Sequence, residues 1–109
     1  YISRFNPKFN TLQLTMSNAL TPEIIQERIK KIPEWELNED SISRSFEFDE
    51  YQFAIDFVNT IAEIAEEAQH HPDISINYTN VTLVLTTHSK GGLTDSDFEV
   101  ALRIDSLGD

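Results

Sequence analysis

Apolar residues recur along this chain with two periods, and the switches between them divide it into seven elements. Ile24, Ile25, Ile29 and Ile32 follow Thr21-Pro22 at three- and four-residue spacing. That pattern predicts a first helix, capped by Ser17 or Thr21, with Pro22 at its first position. Pro33 ends it, because the residue before a proline is pushed out of the α region. Trp35 and Leu37 then alternate with Glu36. Ile42, Arg44, Phe46 and Phe48 alternate with Ser43, Ser45 and Glu47. Two strands around the turn-rich stretch 38–41 make a hairpin.

Asp49 or Glu50 opens the longest predicted helix, which runs to about Gln69. Phe53, Phe57, Ile61, Ile64 and Ala68 form one stripe, and Ile55, Val58, Ala62 and Ala65 widen it. So wide a face fits either one broad core surface or a core surface plus contact with a partner subunit. Ile74, Ile76 and Tyr78 alternate as a strand. A Thr79-Asn80 turn then leads into a β-branched strand over 81–87. This turn sets Tyr78 opposite Val81 and Ile76 opposite Leu83, with the apolar residues on one face. Gly91-Gly92 breaks the chain, and Thr94 to Asp97 cap a last amphipathic helix with Phe98, Ala101, Leu102 and Ile104 inward. The order α-β-β-α-β-β-α, with tight turns between consecutive strands, predicts an α+β two-layer fold. It has a four-stranded antiparallel sheet and helices on one face.

The chain's 109 residues make one domain, and 39% hydrophobic content suffices for a core. The absence of Cys excludes a disulfide scaffold, a thiolate zinc site and a Cys nucleophile. A net charge of −11 disfavours nucleic acid and anionic membranes as direct partners. No apolar run approaches the ~20 residues of a membrane span, and no secretory signal is visible. The charge is uneven: residues 1–31 carry five bases against two acids, whereas 32–109 carry three against seventeen. The basic cluster 28–31 suits the last turn of the first helix, where cations oppose the macrodipole. Residues 1–15 contain no acid and read as an N-terminal extension, native or added ahead of a start at Met16. Residues 16–109 form the domain.

The chemistry concentrates between positions 66 and 97. Glu66 precedes His70 by four residues, so both are expected on one face at a helix C-terminus. A carboxylate there can fix an imidazole tautomer and raise its basicity. His88 ends the predicted last strand, and Asp97 opens the final helix. Hairpin geometry brings His88 back toward His70 and His71, so three imidazoles and one or two carboxylates converge at one sheet edge. Imidazoles titrate near neutral pH and can both give and take protons. Simpler readings compete: His70 as a solvated helix end, Glu66 as a surface charge, Asp97 as an N-cap. A zinc site is disfavoured because adjacent His70 and His71 point in different directions on a regular backbone. Ser89 lacks a nucleophile elbow, and Gly91-Gly92 lacks the Lys-Ser/Thr of a phosphate loop.

At these residues the chain resembles the pterin-4a-carbinolamine dehydratases. The resemblance rests on Glu66-x₃-His70-His71-Pro72-x₅-Tyr78-x₉-His88-x₈-Asp97, with Gly91-Gly-Leu-Thr94 between the last two. It extends from about Leu20 to Ile104, through Trp35-Glu-Leu, the Arg44-Ser-Phe-Glu-Phe strand and Phe57-Val-Asn. Two departures are Tyr78-Thr-Asn-Val81, where the family often has Asn directly after Tyr, and Ile74, where animal members tend to have an aromatic residue.

The resemblance implies a dehydratase that removes water from 4a-hydroxytetrahydropterin to give quinonoid dihydropterin. That reaction recycles tetrahydrobiopterin, the pterin cofactor of aromatic amino-acid hydroxylases. No metal and no cofactor is implied. The expected catalytic set is His70, His71, His88 and Glu66, with Glu66 holding His70. Asp97, Ser75, Ile76 and Asn77 are expected on the substrate-binding side. Expected partners are the pterin substrate and further copies of the chain, as a tetramer or dimer. Neither nucleic acid nor membrane is expected to be bound directly. The expected location is cytoplasmic, and nuclear as well in a eukaryote. Animal members also act as dimerisation cofactors for a homeodomain transcription factor, so the alternative is a protein-interaction adapter without catalysis. The complete histidine set favours the enzyme, since an adapter has no need of it.

Overall fold

A computed structural model of the chain describes residues 19–108; the expected extension, Met16 and the Ser17 cap lie outside the described residues. The elements are α1 (Pro22–Ile29), β1 (Glu36–Asn38), β2 (Ser41–Glu47), α2 (Tyr51–Ala68), β3 (Asp73–Asn77), β4 (Asn80–Leu85) and α3 (Asp95–Asp105). Their order is the α-β-β-α-β-β-α read from the sequence. Thr21 caps α1, its hydroxyl accepting the Ile24 N–H at 3.4 Å. The helix stops before Ile32. The Lys31 and Ile32 N–H groups bond three residues back, to Arg28 and Ile29, and this tighter turn drops Ile32 fully into the core.

The four strands run antiparallel in the order β1-β2-β4-β3. Ile42 faces Leu85, Arg44 faces Leu83 and Phe46 faces Val81, so the apolar residues of the two central strands share one face. That face is covered by helices and Ile42, Val81, Leu83 and Leu85 are fully buried. Side chains of period two point the other way on the open face, where the Ser45 and Thr82 hydroxyls pair at 2.8 Å. Helix α2 buries Ala54, Ile61, Ile64 and Ala65, and α3 buries Phe98, Val100, Ala101 and Ile104. Each large side chain so removed from water is worth about 1.5–3 kcal/mol.

Phe57, Ile61, Ile64 and Ala68 of the expected α2 stripe face the core, and only its first member departs. Ala54 occupies the core and Phe53 is nearly half exposed. The Phe57 ring packs against β2, 4.7 Å from Phe46 and 5.1 Å from Phe48. At the far end of the sheet, one Asp105 oxygen accepts from both Trp35 Nε1 and Arg44 Nη1, each at 2.7 Å. This pins α3 to β2 and satisfies the buried indole N–H.

The β3–β4 turn corrects the expected register. The loop is Tyr78-Thr79, not Thr79-Asn80, and Ile76 faces Val81 while Ile74 faces Leu83. Each strand has shifted by one residue, so side-chain parity survives and the apolar residues still share a face. The residue at positive φ is Tyr78 (φ 57). Tertiary contacts outweigh local turn preference here. Thr79 Oγ1 and Asn80 Nδ2 donate to the two oxygens of Glu47, at 2.6 and 3.0 Å, which holds Asn80 in the ladder opposite Glu47. Tyr78 then stacks on Tyr51 with ring centroids 6.3 Å apart. The Thr79 bond, and then the Asn80 bond, favour the charged carboxylate and hold the Glu47 pKa below the usual glutamate value.

Candidate functional site

Helix α2 ends at Ala68, two residues before the first histidine, and that ending redirects the side chains expected to pair. Gln69 lies in the left-handed region (φ 54, ψ 41). Its N–H bonds to the Glu66 carbonyl at 3.3 Å, and the His70 N–H reaches back to the Ala65 carbonyl at 3.1 Å. These two bonds form a Schellman motif, with Gln where Gly is commonest. His70 therefore leaves the helix, and the four-residue spacing from Glu66 no longer sets them on one face.

The expected Glu66–His70 pair does not form. Glu66 Oε2 lies 2.6 Å from His71 Nε2 in a pair open to solvent, with the two side chains 72% and 56% exposed. His70 Nε2 instead lies 2.5 Å from Asp97 Oδ1. The His70 side chain is 15% exposed and Asp97 is fully buried.

Asp97 is set by the start of α3. Its Oδ2 accepts the Thr94 N–H at 2.9 Å, so Thr94 is the N-cap and Asp97, expected as an N-cap, is the third-position partner in a capping box. The same oxygen accepts from the Thr87 hydroxyl at 2.7 Å, and Thr87 Oγ1 sits 2.9 Å from Thr94 Oγ1. One carboxylate thus caps a helix and holds an imidazole. The observed register explains why these groups meet. Asp73 faces Val84 at the end of the β3–β4 ladder, and His70 and Thr87 lie three residues beyond those two positions. Thr87 is then locked by a bridge to Gly92, with N–H···O bonds of 3.1 and 3.3 Å in the two directions.

His88 does not end a strand. It begins a 3₁₀ turn, His88–Lys90, and is exposed beside the Thr87 anchor. Gly91, in the left-handed region (φ 77), closes that turn. Ser75, Ile76 and Asn77 lie on β3, an edge strand whose residues are all exposed. The chain segment His70 to Pro72 leads directly into β3, so histidines and edge strand are continuous. Among the described residues, no three His, Asp or Glu side chains gather in an arrangement that would hold a metal ion. A cavity of about 180 Å³ beside Arg44, Phe46, Phe57 and Asp105 contains none of the expected site residues.

The site thus consists of one buried, multiply bonded histidine–aspartate pair, one open histidine–glutamate pair and an exposed third histidine. The first pair can hold one proton at a defined nitrogen, and the second can exchange protons with water. Thr87 and Thr94 were not among the expected site residues. The available signals were the position of Thr87 next to His88 and the three-residue spacing of Thr94 and Asp97.

The family model for pterin 4 alpha carbinolamine dehydratase matches residues 18–107. A protein of Acidobacterium capsulatum named "Putative pterin-4-alpha-carbinolamine dehydratase" is 49% identical over 88 residues, covering 81% of this chain and 96% of the relative. A similarly named protein of Gloeobacter violaceus is 50% identical over 91 residues, covering 80% and 99%. Among solved structures, the transcriptional coactivator/pterin dehydratase from Brucella melitensis is similar with a TM-score of 0.79 at 30% identity. That match covers 84% of this chain and 100% of the other.

Proposed function

The chain belongs to the pterin 4 alpha carbinolamine dehydratase family, and on that premise we propose that it dehydrates a 4a-hydroxytetrahydropterin by histidine acid/base catalysis. The C4a–O bond breaks as the leaving hydroxyl takes up a proton and departs as water. A ring nitrogen loses a proton as its lone pair forms the new C=N bond of the quinonoid dihydropterin. One proton is delivered and one removed, so no external reductant or oxidant is needed, and groups that titrate near neutrality can do both.

His70 is the proposed proton-transfer residue. The observation that carries this is its 2.5 Å bond to Asp97, a fully buried carboxylate. A solvated helix-end histidine has no such partner, and burying a carboxylate is costly unless it is well bonded. Asp97 moves from substrate binding to holding His70, the role expected of Glu66. Glu66 holds His71 instead, which is proposed to bind the pterin or share the transfer, with His88 as the second proton carrier. The outer edge of β3 at Ser75, Ile76 and Asn77 is proposed to meet the amide-like edge of the pterin. Tetrahydrobiopterin recycling is the proposed context. Assembly with further copies is supported by exposed Tyr51, Phe53, Ile74 and Ile76 on α2 and β3.

The adapter reading draws on the same exposed residues and on the Brucella melitensis neighbour, whose title pairs coactivator with dehydratase. A dehydration assay separates the two readings. Wild type is expected to accelerate loss of water from the carbinolamine, and His70→Ala to lose that acceleration by about 10²-fold or more. A folded wild type with no acceleration refutes the enzyme, and a His70→Ala variant matching wild type refutes the role of His70.

A further inference from the structure

We infer that the Thr87 hydroxyl is a positioning group for His70, acting through Asp97, and that it fixes Nδ1 as the nitrogen that exchanges protons with substrate. The inference rests on the proposed acid/base role of His70 and specifies how that role is set.

The direction of the hydrogen bonds follows from what each group can do. An ionised carboxylate only accepts, and a hydroxyl has one proton to give. Thr87 Oγ1 lies 2.7 Å from Asp97 Oδ2 and 2.9 Å from Thr94 Oγ1. Its proton must go to Asp97, so Thr87 accepts from the Thr94 hydroxyl. Asp97 Oδ2 also takes the Thr94 N–H, which leaves Oδ1 for His70 Nε2 at 2.5 Å. With all donors pointing at Asp97, His70 Nε2 carries hydrogen and a neutral imidazole keeps its lone pair on Nδ1. The chain of bonds runs one way, from Thr94 through Thr87 to Asp97, and His70 closes it from the other side.

The arrangement depends on the Asp97 carboxylate being held in one orientation while fully buried. Two donors on Oδ2, the Thr94 N–H and the Thr87 hydroxyl, fix that orientation and aim Oδ1 at His70 Nε2. Without the Thr87 donor the carboxylate is free to turn, and Oδ1 no longer holds hydrogen on Nε2. A share of the neutral imidazole then carries hydrogen on Nδ1, the nitrogen meant to accept a proton from substrate. The Thr87 hydroxyl bonds to Asp97 and Thr94 and not to His70, so its effect passes through Asp97.

The test compares wild type, Thr87→Val and Thr87→Ser by imidazole ¹⁵N NMR and by kcat and KM across pH. Wild-type His70, when neutral, is expected as the Nε2–H tautomer. Thr87→Val is expected to move a substantial share to Nδ1–H and lower kcat by about 10- to 100-fold, with KM changed by less than about threefold. Thr87→Ser should restore both the tautomer and kcat to within about threefold, because it returns the donor. A Thr87→Val protein with unchanged His70 nitrogen signals and an unchanged kcat–pH profile overturns the inference. So does an activity loss that Thr87→Ser leaves unrepaired. If Thr87→Val does not fold, the wild-type spectrum still decides, since neutral His70 found as Nδ1–H overturns the inference by itself. A wild type without dehydratase activity removes the functional reading, while the tautomer measurement continues to decide this one.

Discussion

Replacing Asp97 with Asn separates the site read from sequence spacing from the site found in the structure. The amide keeps one oxygen, which can still accept the Thr94 N–H and the Thr87 hydroxyl. It presents NH₂ where Oδ1 now meets His70 Nε2 at 2.5 Å. Donor then faces donor, and His70 must change tautomer or rotate away. The loss is one hydrogen bond to a charged group, about 1.5–3 kcal/mol. Against a typical domain stability of about 5–15 kcal/mol, the variant stays folded. At about 4–8 °C per kcal/mol for a domain of this size, the melting temperature should fall by about 6–24 °C. Activity should fall further than stability suggests. Neutralising the carboxylate that orients a catalytic histidine costs up to about 10⁴ in kcat in a Ser-His-Asp site, so a loss of about 10²–10⁴ is expected. Glu66→Gln is the control. Its pair with His71 is solvent-exposed and worth about 1 kcal/mol or less, and His70 keeps its partner, so kcat should stay within about tenfold. Stopped-flow carbinolamine dehydration and urea unfolding of both variants provide the readouts. An Asp97→Asn protein within about threefold of wild-type kcat refutes the reasoning, as does a larger loss in Glu66→Gln.

Gln69→Gly should raise stability by about 0.5–1 kcal/mol, because glycine adopts the left-handed conformation without a Cβ penalty. The gain is net of the Gln69 Nε2 bond to the Glu66 carbonyl (2.7 Å), and an unchanged or lower melting temperature counts against it. Glu47→Gln should lower the unfolding midpoint at pH 7, because the Glu47 pKa is held down by Thr79 and Asn80 in the folded state. A depressed folded pKa stabilises above the unfolded glutamate value and loses that contribution as pH falls through the folded one. The gap between wild type and variant should therefore close below about pH 4, and a gap of constant size from pH 7 to pH 3 contradicts the assignment.

Local sequence was sufficient for the type and order of the elements, since the 3.6- and 2-residue apolar periods are set by backbone geometry within each segment. It also singled out Glu66, His70, His71 and Asp97, which the structure joins in two carboxylate–imidazole pairs. Partner choice was not legible there. The Glu66–His70 spacing predicts a pair only while the helix continues, and the left-handed Gln69 ends it first. The turn at Tyr78-Thr79 was hidden for a similar reason, because Asn80 has the better turn propensity and yields to hydrogen bonding with Glu47 from a strand thirty-three residues away. Phe53, expected on the apolar stripe, is nearly half exposed, and Ala54 beside it is buried. Periodicity and spacing are properties of one segment. Which carboxylate meets which imidazole depends on the register of β3 against β4 and on where α3 starts, and only the folded chain brings those together.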